Sequence, residues 1–353
     1  MSPLAPPYLP PAADGGRRPL RRLAPPAFGP LAPLVADAAV SDVFVNGGVV
    51  WVDRGAGPVR QSSILLDASE TRELATRLIA AAGRHVDEAT PAVDARLGDG
   101  IRVHVILPPI ATGGPLLSIR LPAVAPLDLD GLDVAGLFPS GVRRALEALV
   151  AERANVLITG AAGTGKTTLL AAMLARAGPA ERIVLIEDVA EARVDHPHVV
   201  GLEARQPNLE GAGGVDLARL VREALRMRPD RIVLGECRGA ELRELLTALN
   251  TGHDGGLGTL HANSLGDVPA RLEALGALAG LSPEAVARQA VSALDAVVHL
   301  GRDRSGRRVE AIGRLVLGRD GRLSVETGST DVRSFGPRLA AARHAAATSE
   351  RAA

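Results

Sequence analysis

A glycine-rich stretch with one lysine is the clearest chemical signal in the sequence. Gly160, Gly165, Lys166 and Thr167 fit the spacing G-x-x-x-x-G-K-[ST], between the apolar run NVLIT and the helix-forming run KTTLLAAMLARA. Glycines let such a loop wrap, so that backbone N–H groups and a helix N-terminus point at phosphate oxygens. The spacing therefore predicts a phosphate-binding loop made of Gly160, Ala161, Ala162, Gly163, Thr164, Gly165, Lys166, Thr167 and Thr168, with the Thr167 hydroxyl as a ligand of Mg²⁺.

Lys166 is the only lysine among 40 basic residues. A guanidinium is a broad planar fork, whereas an ammonium is a compact point charge that fits between the β- and γ-phosphate oxygens of a nucleotide. The lone lysine is thus typical of a phosphate loop. Such a loop does not by itself distinguish a kinase, a GTPase and a motor ATPase.

Acidic side chains follow two further apolar runs. Glu187, Asp188 and Glu191 come after RIVLI, and Glu236 comes after RIVLG. The carboxyl ends of neighbouring parallel strands open onto one crevice, so these carboxylates are expected to face the same phosphates and metal. One would polarise the attacking water and another would hold Mg²⁺. Considered singly, each could instead be a charge at the start of a helix.

Other charged residues leave two interpretations open. His261 ends the run GLGTLH and could hydrogen-bond a γ-phosphate or be a structural histidine. The segment LVREALRMRPDR carries Arg222, Arg226, Arg228 and Arg231, which could reach a neighbouring subunit's nucleotide or simply form a solvated helix face.

Composition excludes several classes of protein. The 353 residues carry 40 basic and 40 acidic side chains, and this balance gives no global attraction to nucleic acid. Aromatic residues make up 2%, which leaves few platforms for stacking bases. One cysteine, Cys237, permits no internal disulfide and no cysteine zinc site. No apolar run reaches the roughly 18 residues of a membrane span, so we expect a cytoplasmic protein.

The elements that position these residues fall into two predicted domains. Residues 1–30 are rich in proline and are expected to be a disordered arm. Residues 31–124 combine glycine-turned strands with one amphipathic helix, whose start has an Asp67 cap and Glu70 three residues later. This pattern predicts an α+β domain.

The remainder of the chain alternates short apolar strands with helices. This alternation predicts an α/β domain over residues 136–335 with a mostly parallel sheet covered on both faces, and a hairpin near its end. We expect a linker at residues 125–135, with the hinge at residues 125–132, and a flexible tail at 336–353.

With these motifs in order, the chain resembles the traffic ATPases of bacterial secretion, conjugation and pilus assembly, in particular the TadA/CpaF-like branch of Tad (Flp) pili. The resemblance extends from about Asp42 to His299. It rests on DVFVNG, VDARLGDGIRVHVILPP, LLSIRLP, GAAGTGKTT, RIVLIEDVAEAR, LVREALRMRPDRIVLGECRGAE and ALNTGHDGGLGTLHANS.

The resemblance implies a RecA-like P-loop NTPase core with a smaller N-terminal α+β domain that closes over ATP and Mg²⁺ in a homohexameric ring. It implies that Glu187 is the general base, that Glu236 is the metal-side carboxylate, and that His261 senses the γ-phosphate. It also implies that Arg102 and Arg120 reach the phosphates from the N-terminal domain. The implied partners are inner-membrane platform proteins and, indirectly, a pilin or secreted substrate, with the ring peripheral to the inner face of the membrane.

Two other functions remain open on the sequence. A conjugation or competence ATPase would move DNA, although the neutral charge makes DNA an unlikely partner. An assembly scaffold would bind ATP with little hydrolysis, although the presence of both Glu187 and Glu236 favours an enzyme.

Overall fold

In a computed structural model, the chain divides into two units between residues 125 and 126. The structure describes residues 26–55, 57–122, 127–205, 213–303 and 306–328. The predicted arm over residues 1–25 and the predicted tail lie outside the described residues.

The N-terminal unit is a six-stranded antiparallel sheet packed against one long helix. The strand order is β3-β2-β1-β6-β5-β4. Its elements are α1 (Ala32–Ala36), β1 (Asp42–Asn46), β2 (Val49–Asp53), β3 (Pro58–Leu65), α2 (Ala68–Ala81), β4 (Ala92–Arg96), β5 (Arg102–Ile106) and β6 (Leu116–Arg120). The α+β prediction for this part of the chain is confirmed.

Helix α2 begins where the sequence predicts. The N–H of Glu70 donates to Asp67 at 2.8 Å, and the N–H of Asp67 donates back to the Glu70 carboxylate at 2.8 Å. Leu74, Leu78 and Ile79 are buried against the alternate residues of the sheet. The start of the unit differs from the prediction, because Pro26–Leu31 forms a 3₁₀ turn with Phe28 fully buried. Residues 26–30 therefore belong to the fold and not to the predicted arm.

The C-terminal unit is an eight-stranded sheet with the order β14-β13-β12-β7-β11-β10-β8-β9. The six strands from β12 to β9 are parallel, and β13 and β14 add antiparallel pairs. The strands are β7 (Val156–Gly160), β8 (Ile183–Glu187), β9 (Val199–Glu203), β10 (Arg231–Cys237), β11 (Leu257–His261), β12 (Ala296–Asp303), β13 (Gly306–Leu317) and β14 (Leu323–Thr327).

Helices cover both faces of this sheet. They are α3 (Leu129–Val134), α4 (Val142–Ala151), α5 (Lys166–Leu174), α6 (Leu217–Leu225), α7 (Glu241–Asn250), α8 (Val268–Leu278) and α9 (Pro283–Ala293). Leucines of α3, α4 and α5 fill one core, and those of α6, α7 and α8 fill the other with Val286 of α9. The predicted doubly covered parallel sheet is confirmed.

The segment between the two units differs from the predicted linker at 125–135. Residues 129–134 form α3, in which Leu129 is fully buried and Leu132 is 5% exposed. The Asp128 carboxylate caps this helix through the N–H of Gly131. Both leucines belong to the α4/α5 core, so most of the predicted linker, with part of the predicted hinge, belongs to the C-terminal unit.

Candidate nucleotide site

The predicted phosphate loop lies between the end of β7 and the start of α5. Gly163 and Gly165 have φ angles of 71° and 98°, a region that favours glycine. A methyl group at Gly160 would lie 2.4 Å from the carbonyl oxygen of Leu300 on β12. The glycines are therefore required both by the turn and by the close approach of a neighbouring strand.

Lys166 lies in the first turn of α5 and is 7% exposed. Its Nζ donates to the carbonyl oxygens of Gly160 and Ala161, both at 2.9 Å. Burial lowers the pKa of this ammonium, while the nearby carboxylates of Glu236 and Glu191 act in the opposite direction. The ammonium group of Lys166 is thus positioned over the loop by two neutral carbonyl groups. Charged phosphate oxygens at this place would accept stronger hydrogen bonds than these carbonyls do.

The remaining loop residues divide by exposure. Thr164 is buried, and its hydroxyl donates to the carbonyl of Ala161 at 2.9 Å, so the side chain closes the loop. Any contact of Thr164 with phosphate would come from its backbone N–H. Ala161, Ala162, Gly163 and Thr168 are exposed, and Thr167 is half-buried in the first turn of α5.

Glu187 ends β8 and is 5% exposed. Its Oε1 accepts the N–H groups of Glu191 and Ala192, each at 3.0 Å, so the acidic segment folds back over the side chain. Across the strand pair, a methyl group at Gly235 would lie 2.6 Å from Cγ of Glu187. The Gly of Gly235-Glu236 therefore makes room for the neighbouring strand's carboxylate.

Glu236 lies in a β-bulge of β10. Two residues, Gly235 and Glu236, stand opposite the single residue Thr259 of β11. A bulge redirects a side chain relative to regular strand alternation. The hydroxyl of Thr259 donates to the carbonyl of Gly235 at 2.5 Å and fixes this irregular geometry.

Only Oε2 of the Glu236 carboxylate accepts a hydrogen bond; Oε1 is buried and accepts none from the described residues. Nε2 of His261 lies 2.7 Å from Oε1, and Nε of Arg238 donates to Oε2 at 2.8 Å. Arg238 also lies 3.7 Å from Asp188. Sequence reasoning did not single out Arg238, although its position two residues after a strand-end glutamate was a usable signal.

His261 is 40% exposed at the end of β11, directly opposite Gly160 in the strand register. Burial and the positive charge of Lys166 lower the pKa of its imidazole, and Glu236 opposes them. The neutral ring is thus favoured near neutral pH. It lies between the phosphate loop and the Glu236 carboxylate.

A second histidine, His299, lies on β12 next to the strand that precedes the loop. The sequence analysis did not single it out. It is 2% exposed, and its Nδ1 lies 2.9 Å from the Thr159 hydroxyl. It therefore joins β12 to β7, the strand that precedes the loop. A polar residue inside the apolar run AVVHL was the available signal.

The donor set suits a magnesium ion bound together with phosphate. Mg²⁺ prefers oxygen ligands and keeps several waters. Thr167 supplies a hydroxyl and Glu236 a carboxylate at the same edge of the sheet. The described residues contain no group of three or more His, Cys, Asp or Glu able to hold a metal alone, so phosphate and water would complete the shell.

Arg102 and Arg120 are direct cross-strand neighbours in the N-terminal sheet. Nε of Arg120 lies 3.3 Å from the Asp42 carboxylate, and its side chain is 64% exposed. Arg96 extends the row on β4, since it pairs with Arg102. Their reach toward a nucleotide stays a prediction.

The arginines around α6 do not form one group. Arg231 is 1% exposed and makes two hydrogen bonds to the Glu181 carboxylate, at 2.8 and 3.1 Å, at the start of β10. Arg222 pairs with Glu244, and Arg226 pairs with Glu223. The suggestion that Arg231 reaches another subunit's nucleotide is wrong, because it is a buried residue at the opposite end of the strand from Glu236.

Comparison with known proteins agrees with this geometry. The profile of the type II/IV secretion system protein family matches residues 27–332, which includes both units. The chain belongs to this family. The match does not distinguish the branches of the family.

Two relatives share most of their length with this chain. A Mycobacterium tuberculosis protein with a conjugal-transfer name is 48% identical over 306 residues, which cover 85% of this chain and 87% of that protein. The conjugal transfer protein TrbB of Rhizobium radiobacter is 33% identical over 282 residues, covering 78% and 84%.

The fold is shared with a solved structure, the ATPase DotB of Yersinia pseudotuberculosis. The TM-score is 0.57 at 19% identity, and the match covers 91% of this chain and 84% of that one. This likeness supports the predicted fold class, a RecA-like α/β core with a smaller N-terminal α+β domain. Among the described residues, none of the helices combines the length and apolar character that a bilayer crossing requires.

Proposed function

We propose that this protein is a Mg²⁺-dependent ATPase that drives a secretion-type machine. One observation carries the proposal. Four proposed site residues lie at the same edge of the sheet, at the ends of four adjacent parallel strands. Lys166 follows the loop after β7, and the other three lie on the neighbouring strands: His261 on β11, Glu236 on β10 and Glu187 on β8. A crevice at this edge is where doubly wound sheets bind ligands.

Each side chain has a part in the proposed reaction. Lys166 and the loop N–H groups hold the phosphates, with Thr167 beside the metal. Glu187, fixed by two backbone N–H groups, orients and deprotonates the attacking water. Glu236 holds the metal side, and His261 contacts the γ-phosphate. Bound Mg²⁺ would neutralise charge on the phosphate oxygens.

The finer assignment is a homohexameric motor of a Tad (Flp) type pilus or a related protein secretion system. The motif order and the family membership support it. The implied partners are inner-membrane platform proteins and, indirectly, a pilin or secreted substrate. In this proposal the ring works at the cytoplasmic face of the membrane, and Arg102 and Arg120 complete the site.

A second candidate is an ATPase of conjugal DNA transfer, since two relatives carry conjugal-transfer names. The even charge balance argues against direct DNA binding. ATP turnover measured with and without single-stranded DNA at moderate salt separates the two. Stimulation that disappears at high salt would favour the DNA-linked function.

The site assignment is tested with Lys166→Ala and Glu236→Gln in the full chain. Lys166→Ala is expected to abolish nucleotide binding, whereas Glu236→Gln is expected to keep binding and lower turnover by about 100-fold or more. Arg243→Ala is the control, because this arginine is exposed on α7 and has no proposed role in the site. ATP turnover that survives both site substitutions would show that the site lies elsewhere. A wild-type chain that binds ATP yet completes less than one turnover would support the scaffold alternative.

A further inference from the structure

The hairpin formed by β12 and β13 extends past the phosphate loop. Leu300 of β12 pairs with Gly160, the last residue of β7. Beyond that point β12 continues through Asp303, and its last three residues pair with β13 from Gly306 to Arg308. The hairpin therefore projects beyond the carboxyl edge of the sheet on the side of the loop.

Arg307 lies on the loop side of this hairpin. In a strand, residues two apart share a face, so Arg307 faces the same way as Val309. Val309 is buried in the core that contains Leu169 and Leu170 of α5. A methyl group built on Gly165 would lie 3.9 Å from Cδ of Arg307. The aliphatic part of Arg307 thus lies next to Gly165, the loop residue that precedes helix α5.

Among the described residues of the hairpin, the acidic side chains pair with Arg308 and not with Arg307. Arg308 points to the other face, where it lies 2.7 Å from Asp303 and 3.9 Å from Glu310. Arg307 is exposed and forms no ion pair or side-chain hydrogen bond with any residue in the described parts of the chain. Two neighbouring arginines on one strand therefore differ, since Arg308 is paired with acidic side chains and Arg307 has no such partner among the described residues.

We propose that Arg307 binds the phosphate chain of the nucleotide, on the side of the α- and β-phosphates that the loop backbone cradles. The inference rests on the proposed nucleotide site. A guanidinium presents several N–H donors to phosphate oxygens, and these charge-assisted bonds are stronger than neutral ones. Arg307 makes the same contacts to ADP and ATP, unlike His261, whose proposed partner is the γ-phosphate.

The test compares Arg307→Ala with Arg308→Ala in the full chain. Binding of ADP, ATP and inorganic pyrophosphate is measured by titration calorimetry at low and at moderate salt. Arg307→Ala is expected to raise the Kd for all three by about tenfold, the size of one charge-assisted hydrogen bond. Arg308→Ala is expected to leave them unchanged. Arg307→Lys keeps the charge and is expected to recover part of the affinity.

The outcomes separate this inference from the proposed function. If Arg307→Ala binds ADP and pyrophosphate as wild type does while Lys166→Ala binds neither, the loop site stands and the role of Arg307 is refuted. If Lys166→Ala binds both normally, the nucleotide site itself is refuted and the inference falls with it. A loss confined to ATP would also overturn the proposal, because it would place Arg307 at the γ-phosphate. Thermal unfolding without ligand identifies any variant that fails to fold, and Arg307→Gln then replaces it.

Discussion

Nε2 of His261 lies 2.7 Å from Oε1 of Glu236, on the strand next to it in the sheet. Arg238 holds the other carboxylate oxygen from two residues along the same strand end. Arg238 thus supplies the hydrogen bond that orients Glu236, and His261 of β11 adds a close contact to an oxygen that accepts no hydrogen bond from the described residues.

Arg238→Gln is expected to leave nucleotide affinity nearly unchanged and to lower kcat by about 10- to 100-fold, since small displacements of a catalytic group are costly. Steady-state turnover and separate binding titrations measure the two effects. Arg243→Gln, an exposed arginine of α7, is the control. An unchanged kcat in Arg238→Gln would show that His261 alone orients the carboxylate.

Gly235→Ala places a methyl group 2.6 Å from Cγ of Glu187, so one of the two must move. Because Glu187 is the proposed base, we expect turnover to fall by about 100-fold or more while ADP binding persists. The matched control is Gly201→Ala, where an added methyl group meets no atom within 4 Å. Equal turnover in both variants would exclude a role for the position of Glu187.

His299 is expected to make the fold sensitive to acid. Burial lowers the pKa of its imidazole below the ordinary 6.5, while Glu310 and Asp267 oppose the shift and Lys166 adds to it. The unfolded chain therefore takes up this proton first, and the free energy of unfolding falls as pH drops below about 6.5. Above that pH the contribution of His299 is fully present.

Thermal unfolding at pH 7.5 and 5.5 measures this dependence. His299→Gln is expected to show a smaller loss of Tm between the two pH values than wild type. His85→Gln, at a side chain that is 76% exposed, is expected to keep the full dependence. If His299→Gln loses as much Tm between pH 7.5 and pH 5.5 as wild type does, the acid sensitivity comes from other groups.

Arg231→Met removes the buried guanidinium that hydrogen-bonds Glu181 and the carbonyl of Val150, while Arg153 still pairs with Glu181. This change is expected to lower the free energy of unfolding by about 1–3 kcal/mol. Nucleotide affinity at a temperature where the variant is folded should equal that of wild type, because Arg231 begins β10 and the site lies near its other end. Chemical denaturation and titration give the two quantities. Arg314→Met, at a side chain of β13 that is 47% exposed, should change neither. Loss of affinity in folded Arg231→Met would restore Arg231 as a functional residue.

Local patterns in the sequence predicted the elements and much of the site. The glycine spacing located the loop, and apolar runs followed by Glu187, Glu236 and His261 located the strand ends. These signals are short-range, because each depends on a strand and the turn that follows it.

The features that the sequence did not reveal depend on contacts between distant segments. The bulge at Gly235-Glu236 is defined only against Thr259, and the contact of His299 with Thr159 spans 140 residues. The hairpin near the end of the chain was predicted, but not its place beside β7. The buried Leu129 and Leu132 were missed because a short helix without a long apolar period resembles a linker.

The place of β12 in the sheet has a consequence for synthesis on the ribosome. The strand that ends in the phosphate loop pairs with β11 on one side and with β12 on the other, and the carbonyl of Leu300 faces Gly160 at close range. A nascent chain shorter than about 300 residues therefore has the complete loop motif, but it lacks β12, one of the two strands that pair with β7. The ability to bind nucleotide should appear late in translation, after the last parallel strand has left the exit tunnel.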